Sequence, residues 1–87
     1  ADVISISWST GHVDNIKDAI NLGKLIGRSG KGTVFSCSSG NNGSIRFPAT
    51  LSSVLAVGAV DLKGVIFGYS GQGSQLDVVA PSGRNQI

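Results

Sequence analysis

Methionine is absent from this chain of 87 residues, charged side chains make up only 14%, and one cysteine, Cys37, stands alone. A lone cysteine excludes an internal disulfide, and with no second cysteine or histidine pair the usual zinc-ligand spacings cannot be assembled. Four lysines and three arginines face five aspartates, all scattered singly. The lack of a basic run or of an aromatic-interleaved basic stripe argues against nucleic acid and against membrane surfaces as partners. No apolar stretch approaches the roughly 20 residues of a membrane span, and Ala1-Asp2-Val3-Ile4 lacks the basic n-region of a signal peptide. The length permits one small domain or a piece of one.

What is present is a hydrophobic fraction of 40% and 13 glycines, the profile of a tightly packed, loop-bearing protein and not of a disordered tail. Val3-Ile4-Ser5-Ile6-Ser7 predicts a buried strand running into a loop. From Asp14 to about Gly27 the residues Ile16, Ala19, Ile20, Gly23 and Ile26 recur at helical spacing. Asp14 and Asp18 lie early and Lys24 and Arg28 late, as the helix dipole favours. Thr10 or Asp14 is the expected N-cap, and Gly27 the expected break just past the end. Thr33 to Ser38 reads as a second strand, so strand–helix–strand implies a parallel pair. Both strands then end at one edge of the sheet, where ligands bind, and Ser7-Trp8-Ser9 should share a cleft with Ser38 through Gly43.

Beyond a loop around Phe47-Pro48, the apolar run Val54 to Val60 suits another buried strand, followed by a turn from Asp61 to Gly64. Ile66–Tyr69 and Leu76–Ala80 are two further short strand candidates, separated by Gly71-Gln72-Gly73. No internal repeat is visible.

Five segments, in order, carry a family resemblance: Asp2 to Trp8, Ser38-Ser39-Gly40-Asn41, Phe47-Pro48-Ala49, Ser53 to Asp61, and Leu76 to Pro81. Each is common by itself. Together, at this spacing and over nearly the whole chain, they resemble the subtilisin-like serine proteases. The resemblance implies an α/β fold, part of a doubly wound, mostly parallel sheet with about three to five strands and one main helix. It implies that residues 1–87 are the central portion of a single catalytic domain of a peptide-bond hydrolase, secreted or extracellular. It assigns Asn41 the role of hydrogen-bond donor to the tetrahedral oxyanion, a task that needs a neutral, rigidly held dipole. Read without the resemblance, Gly40-Asn41-Asn42-Gly43 is equally a turn, since both residue types tolerate left-handed backbone.

The same resemblance makes Ser7, Trp8 and Ser9 the segment that pairs with extended substrate, opposite a wall formed by Ser38, Ser39 and Gly40. Such pairing is β-augmentation. Many family members carry glycine where Ser9 stands, which bears on the pocket's width. Arg46 falls where the pocket floor is formed, and a guanidinium there would favour an acidic substrate residue; a solvated loop arginine is the alternative. The Phe47-Pro48 step often carries a cis peptide in the family. The carbonyls of Ala49, Leu51 and Val54 are where some relatives hold a weak structural calcium or sodium ion, although no side chain here demands one and no cofactor is called for. The implied partners are a peptide or protein substrate and the remainder of the protease domain.

The family's Asp-Thr/Ser-Gly, His-Gly-Thr-His and Gly-Thr-Ser strings do not occur in these residues. Family order places the chain after the first two and before the third, so alone it should hydrolyse nothing. Three features imitate sites. His12, near a helix start, is expected to be solvated or capping and not a general base. Ser70 in Gly68-Tyr69-Ser70-Gly71 resembles a nucleophile elbow with its final glycine displaced. Gly30-Lys31-Gly32 superficially resembles a phosphate loop but ends a helix instead of opening one. Asn42-Gly43-Ser44 fits a glycosylation acceptor. Two readings compete with the peptidase: a non-catalytic module of the same fold, and a small nucleotide-binding domain resting on Gly30-Lys31-Gly32.

Overall fold

Alternating small and β-branched residues set the sheet in the computed structural model, which describes residues 1–83. The elements are β1 (Val3–Ile6), α1 (Asp14–Ile26), β2 (Val34–Ser38), β3 (Leu55–Val60) and β4 (Val78–Pro81). The strands lie in the order β1-β2-β3-β4, and every neighbouring pair is parallel. This is the expected α/β arrangement of a parallel sheet with one helix. Among the described residues no helix is long and apolar enough to cross a membrane.

Register decides which residues make the core. Ile6 lies beside Cys37 and Cys37 beside Ala56, so one face presents these three together with Phe35. Ile20 of α1 closes over that face, and Ala49 and Val54 from the connection between β2 and β3 complete the cluster. Close packing leaves little room: a β-carbon on Gly23 would come within 2.9 Å of the Phe35 ring. Burial pushes the Cys37 thiol above its ordinary range, because the charged form loses its hydration. Cys37 is therefore a neutral packing residue and not a nucleophile.

The opposite face is open. Val3, Val34, Leu55 and Val78 are 62%, 43%, 44% and 50% exposed. Their strand neighbours on that face, Ser5, Ser36, Val57, Ala59 and Ala80, are small. Parallel sheets are ordinarily covered on both faces, so this surface lacks a layer.

Three local expectations need correction. The helix is capped neither by Thr10 nor by Asp14: Val13 is the N-cap residue and no side chain closes the first turn. Thr10 is drawn away because its N–H donates to the Phe47 carbonyl at 3.0 Å. Asp14 lies inside the first turn, where its charge still complements the dipole, with His12 Nε2 at 2.9 Å and Lys17 Nζ at 4.0 Å. Gly27 does follow the helix, but its φ of −58° is not left-handed; the positive-φ residues of the turn are Arg28, Ser29, Gly30 and Gly32. Glycine is required at 27 for space, since a β-carbon would collide with Thr33 Oγ1 and the Gly23 carbonyl.

Ile66–Tyr69 is not a strand. The Ser39 N–H already occupies the Val57 carbonyl at 2.9 Å, leaving the next rung, Ala59 O, to Phe67 N–H at 3.0 Å. One antiparallel bridge between Val60 and Ile66 results, after which the Ser70 N–H bonds to the Phe67 carbonyl at 3.0 Å and the chain turns. The expected turn at Asp61–Gly64 is present: Asp61 Oδ1 accepts from the N–H groups of Lys63 at 2.8 Å and Val65 at 3.0 Å. The Phe47–Pro48 peptide is cis.

Candidate active-site cleft

Because β1 and β2 are parallel and paired through Ile6 and Cys37, the chain leaves both strands at one end of the sheet. A cleft of about 230 Å³ opens there. It is lined by Ser7, Trp8 and Ser9 from the segment after β1, and by Ser38, Gly40, Asn41, Asn42 and Arg46 from the end of β2 and the loop beyond it. Six of the seven residues singled out from sequence therefore meet in one place. The seventh, Ser39, is 2% exposed and lies beneath, lining an adjoining groove of about 310 Å³ along the open sheet face. Its N–H is bound to the Val57 carbonyl and its carbonyl accepts from Arg46 N–H at 3.3 Å. Ser39 thus supplies a rigid wall and has no free main-chain group of its own to offer.

The loop bearing Asn41 is held by a clamp that the sequence reading missed. The N–H of Gly43 donates to the Tyr69 carbonyl at 3.1 Å, that of Gly71 to Gly40 at 3.2 Å, and that of Gln72 to Gly43 at 3.1 Å. Below it, Ser70 Oγ accepts the Ala59 N–H at 2.9 Å and lies 3.4 Å from Ser39 Oγ. Ser70, which imitated a nucleophile, is 1% exposed and fastens the end of β2 to β3. Gly40 adopts a φ of +107°, which glycine alone takes without strain.

Gly71 packs flat against this loop: a β-carbon there would lie 2.9 Å from the Ser44 carbonyl oxygen and would overlap the Ser39 carbonyl oxygen. Backbone atoms cannot swing aside, so Gly71→Ala should shift Asn41, and if Asn41 serves the oxyanion as the resemblance implies, kcat of the full-length protein should fall by at least about tenfold. A rate within twofold of the parent would show that the clamp does not set the position of Asn41. The only sequence signal was the Gly-Gln-Gly run, which looked like a spacer.

Trp8 is 50% exposed and lines the cleft. Among the described residues, no main-chain hydrogen bond outside the sheet engages Ser7, Trp8 or Ser9, and β1 is an edge strand. The Asn41 carboxamide is likewise without a hydrogen-bond partner among the described residues, whereas Asn42 Oδ1 accepts the Ser44 N–H at 3.3 Å. His12 lies away from the cleft lining, paired with Asp14 and packed 4.7 Å from the Phe47 ring centre.

No group of three or more His, Cys, Asp or Glu side chains is assembled among the described residues. Of the carbonyls of Ala49, Leu51 and Val54, that of Leu51 accepts the Val54 N–H at 3.4 Å.

The sequence matches the subtilase family over residues 1–86. It is 37% identical over 84 residues to a thermophilic serine proteinase of Bacillus sp. (strain AK1), covering 93% of this chain and 20% of that protein. Two solved structures share its fold. The prenylagaramide maturation protease PagA is 28% identical with a TM-score of 0.77, and a point mutant of the protease domain of PatA is 31% identical with a TM-score of 0.78. Each match covers 93% of this chain and 31% of the solved one. The chain thus spans about a fifth of the length of the curated relative. Sequence and fold agree along the same stretch, and the chain belongs to the subtilase family.

Proposed function

We propose that this chain is the central part of a serine endopeptidase, in which Asn41 donates to the oxyanion while Ser7-Trp8-Ser9 holds the peptide. The observation that carries the reading is the pairing, across one cleft, of an unengaged carboxamide with an unengaged edge segment. An extended peptide laid along Ser7–Ser9 gains main-chain hydrogen bonds as an added strand. It is thereby held with a carbonyl near Asn41, whose clamped loop keeps the amide in place before charge develops. Preorganisation of this kind favours the transition state, because the dipole need not reorient as the oxyanion forms.

The nucleophile and its base belong to other parts of the polypeptide. Attack by a serine hydroxyl forms the acyl-enzyme and expels the amine; water then releases the acid. Cleavage outside the cell is the corresponding setting, and it rests on family likeness alone. The test uses the full-length polypeptide that carries this segment. It should hydrolyse a denatured protein and be labelled covalently by a serine-directed fluorophosphonate, while residues 1–87 alone do neither. A full-length protein that is folded yet neither labelled nor active would leave the non-catalytic module as the correct reading.

A further inference from the structure

The cleft lies where β1 and β2 end. A second groove, of about 470 Å³, opens at the opposite end of the sheet, where β2 and β3 begin. Val34 and Leu55, 43% and 44% exposed, give it an apolar lining, and Lys24, Arg28 and Lys31 are the charged residues on it. Three of the seven lysines and arginines of the chain thus meet in one place. Lys24 stands in the last turn of α1. Arg28 and Lys31 belong to the tight turn that follows, closed by the Gly32 N–H donating to the Gly27 carbonyl at 2.7 Å. No carboxylate lines the groove. The length of β2 separates it from the Asn41 cleft, roughly 15 Å or more at about 3.3 Å per residue.

Cations late in a helix often serve its dipole, but here the terminal carbonyls are already engaged. That of Gly23 accepts the N–H groups of Gly27 at 2.9 Å and Thr33 at 3.0 Å, and that of Ile26 accepts the Gly30 N–H at 3.1 Å. Arg28 is held in place, its Nε 3.2 Å from Asp2 Oδ1 and its Nη1 donating to the Gly32 carbonyl at 3.4 Å. Among the described residues Lys24 and Lys31 make no ion pair. Two unengaged ammonium groups beside an anchored guanidinium and an aliphatic surface call for an occupant that matches both: carboxylates for the cations and branched side chains for Val34 and Leu55.

A second copy of the chain offers no such match, because no three His, Cys, Asp or Glu side chains come together among the described residues. Nucleic acid would bring phosphates, yet the one aromatic residue of the groove, Phe35, is 7% exposed and gives bases no platform to stack on. We infer that this groove docks an acidic, leucine- or valine-bearing segment of a partner polypeptide, at a site apart from the cleft. The docking does not depend on peptide-bond hydrolysis.

The experiment measures fluorescence anisotropy of a fluorescein-labelled peptide of alternating glutamate and leucine, titrated with the full-length polypeptide. The protein is first treated with fluorophosphonate, so that a serine-dependent cleavage cannot consume the peptide. The glutamate peptide should bind at least about tenfold more tightly than its glutamine isostere, as one or two charge-assisted contacts allow, and the advantage should shrink as sodium chloride is raised. Lys24→Gln together with Lys31→Gln should bring the ratio close to one, while Lys24→Arg with Lys31→Arg keeps it, which separates lost charge from lost folding. A ratio near one in the parent protein overturns the assignment. So does a ratio that survives the glutamine pair but falls with Arg46→Gln, since the peptide would then lie in the cleft. Tighter binding of labelled oligothymidylate than of the glutamate peptide overturns it as well. None of these outcomes bears on fluorophosphonate labelling, which tests the peptidase reading by itself.

Discussion

Asn41→Ala in the full-length enzyme should lower kcat by roughly 10²–10³ while KM and the thermal midpoint stay close to the parent values; this range is taken over from subtilisin itself and not calculated. The split follows from the geometry. The Asn41 carboxamide has no hydrogen-bond partner among the described residues, so removing it strands no buried group and costs the fold little. In the proposed reading substrate is held chiefly by main-chain pairing along Ser7–Ser9, which the substitution does not touch. What would be lost, on that reading, is a donor used only when the carbonyl oxygen becomes an anion, and such a loss appears in kcat. The measurement is steady-state kinetics on one peptide, with circular dichroism to confirm folding. An unchanged kcat would refute the assigned role. A large fall in the thermal midpoint would show instead that Asn41 belongs to the scaffold.

The second large effect concerns the isolated chain. Residues 1–87 should not unfold as a cooperative monomer; they should associate, or remain only partly ordered. The cause is the uncovered sheet face, with Val3, Val34, Leu55 and Val78 each exposed by 43% or more, and two outer strands whose edges are open. Exposed edges invite pairing between copies, and the single helix covers one face only. Light scattering after size exclusion, with urea denaturation followed by tryptophan fluorescence, decides the matter. A monomer with a sharp sigmoidal transition would contradict the expectation. Adding the remaining parts of the domain should restore a monomeric, cooperative unit.

The regular elements were legible because their signals are local. The β-branched segment at Val3–Ile6, the apolar run at Leu55–Val60, helical spacing between Ile16 and Ile20, and glycines after α1 each speak for themselves within a few residues. The cleft was legible by one further step, since parallel strands joined by a helix must end at the same edge. Where the reading failed, distant partners decided. Thr10 was claimed by Phe47, far along the chain, and so could not cap α1. Ile66–Tyr69 has strand-like residues, yet β2 had already paired with β3 from Leu55 to Val57, leaving only its end for a single bridge. The clamp made by Tyr69 to Gln72 on the Asn41 loop joins segments some thirty positions apart, and nothing in its composition announced a partner.

Ser5, Ser36, Ala59 and Ala80 keep the uncovered face of the sheet low. Helices usually pack with axes about 8–10 Å apart, at a distance set by the side chains between them, and short side chains here let an overlying element settle deeper than usual. The height of that bed relative to the loop after β2 then fixes how far any group carried above the sheet stands from the Asn41 amide. On the proposed reading, a surface outside the cleft would in this way gauge the reach of groups brought to Asn41.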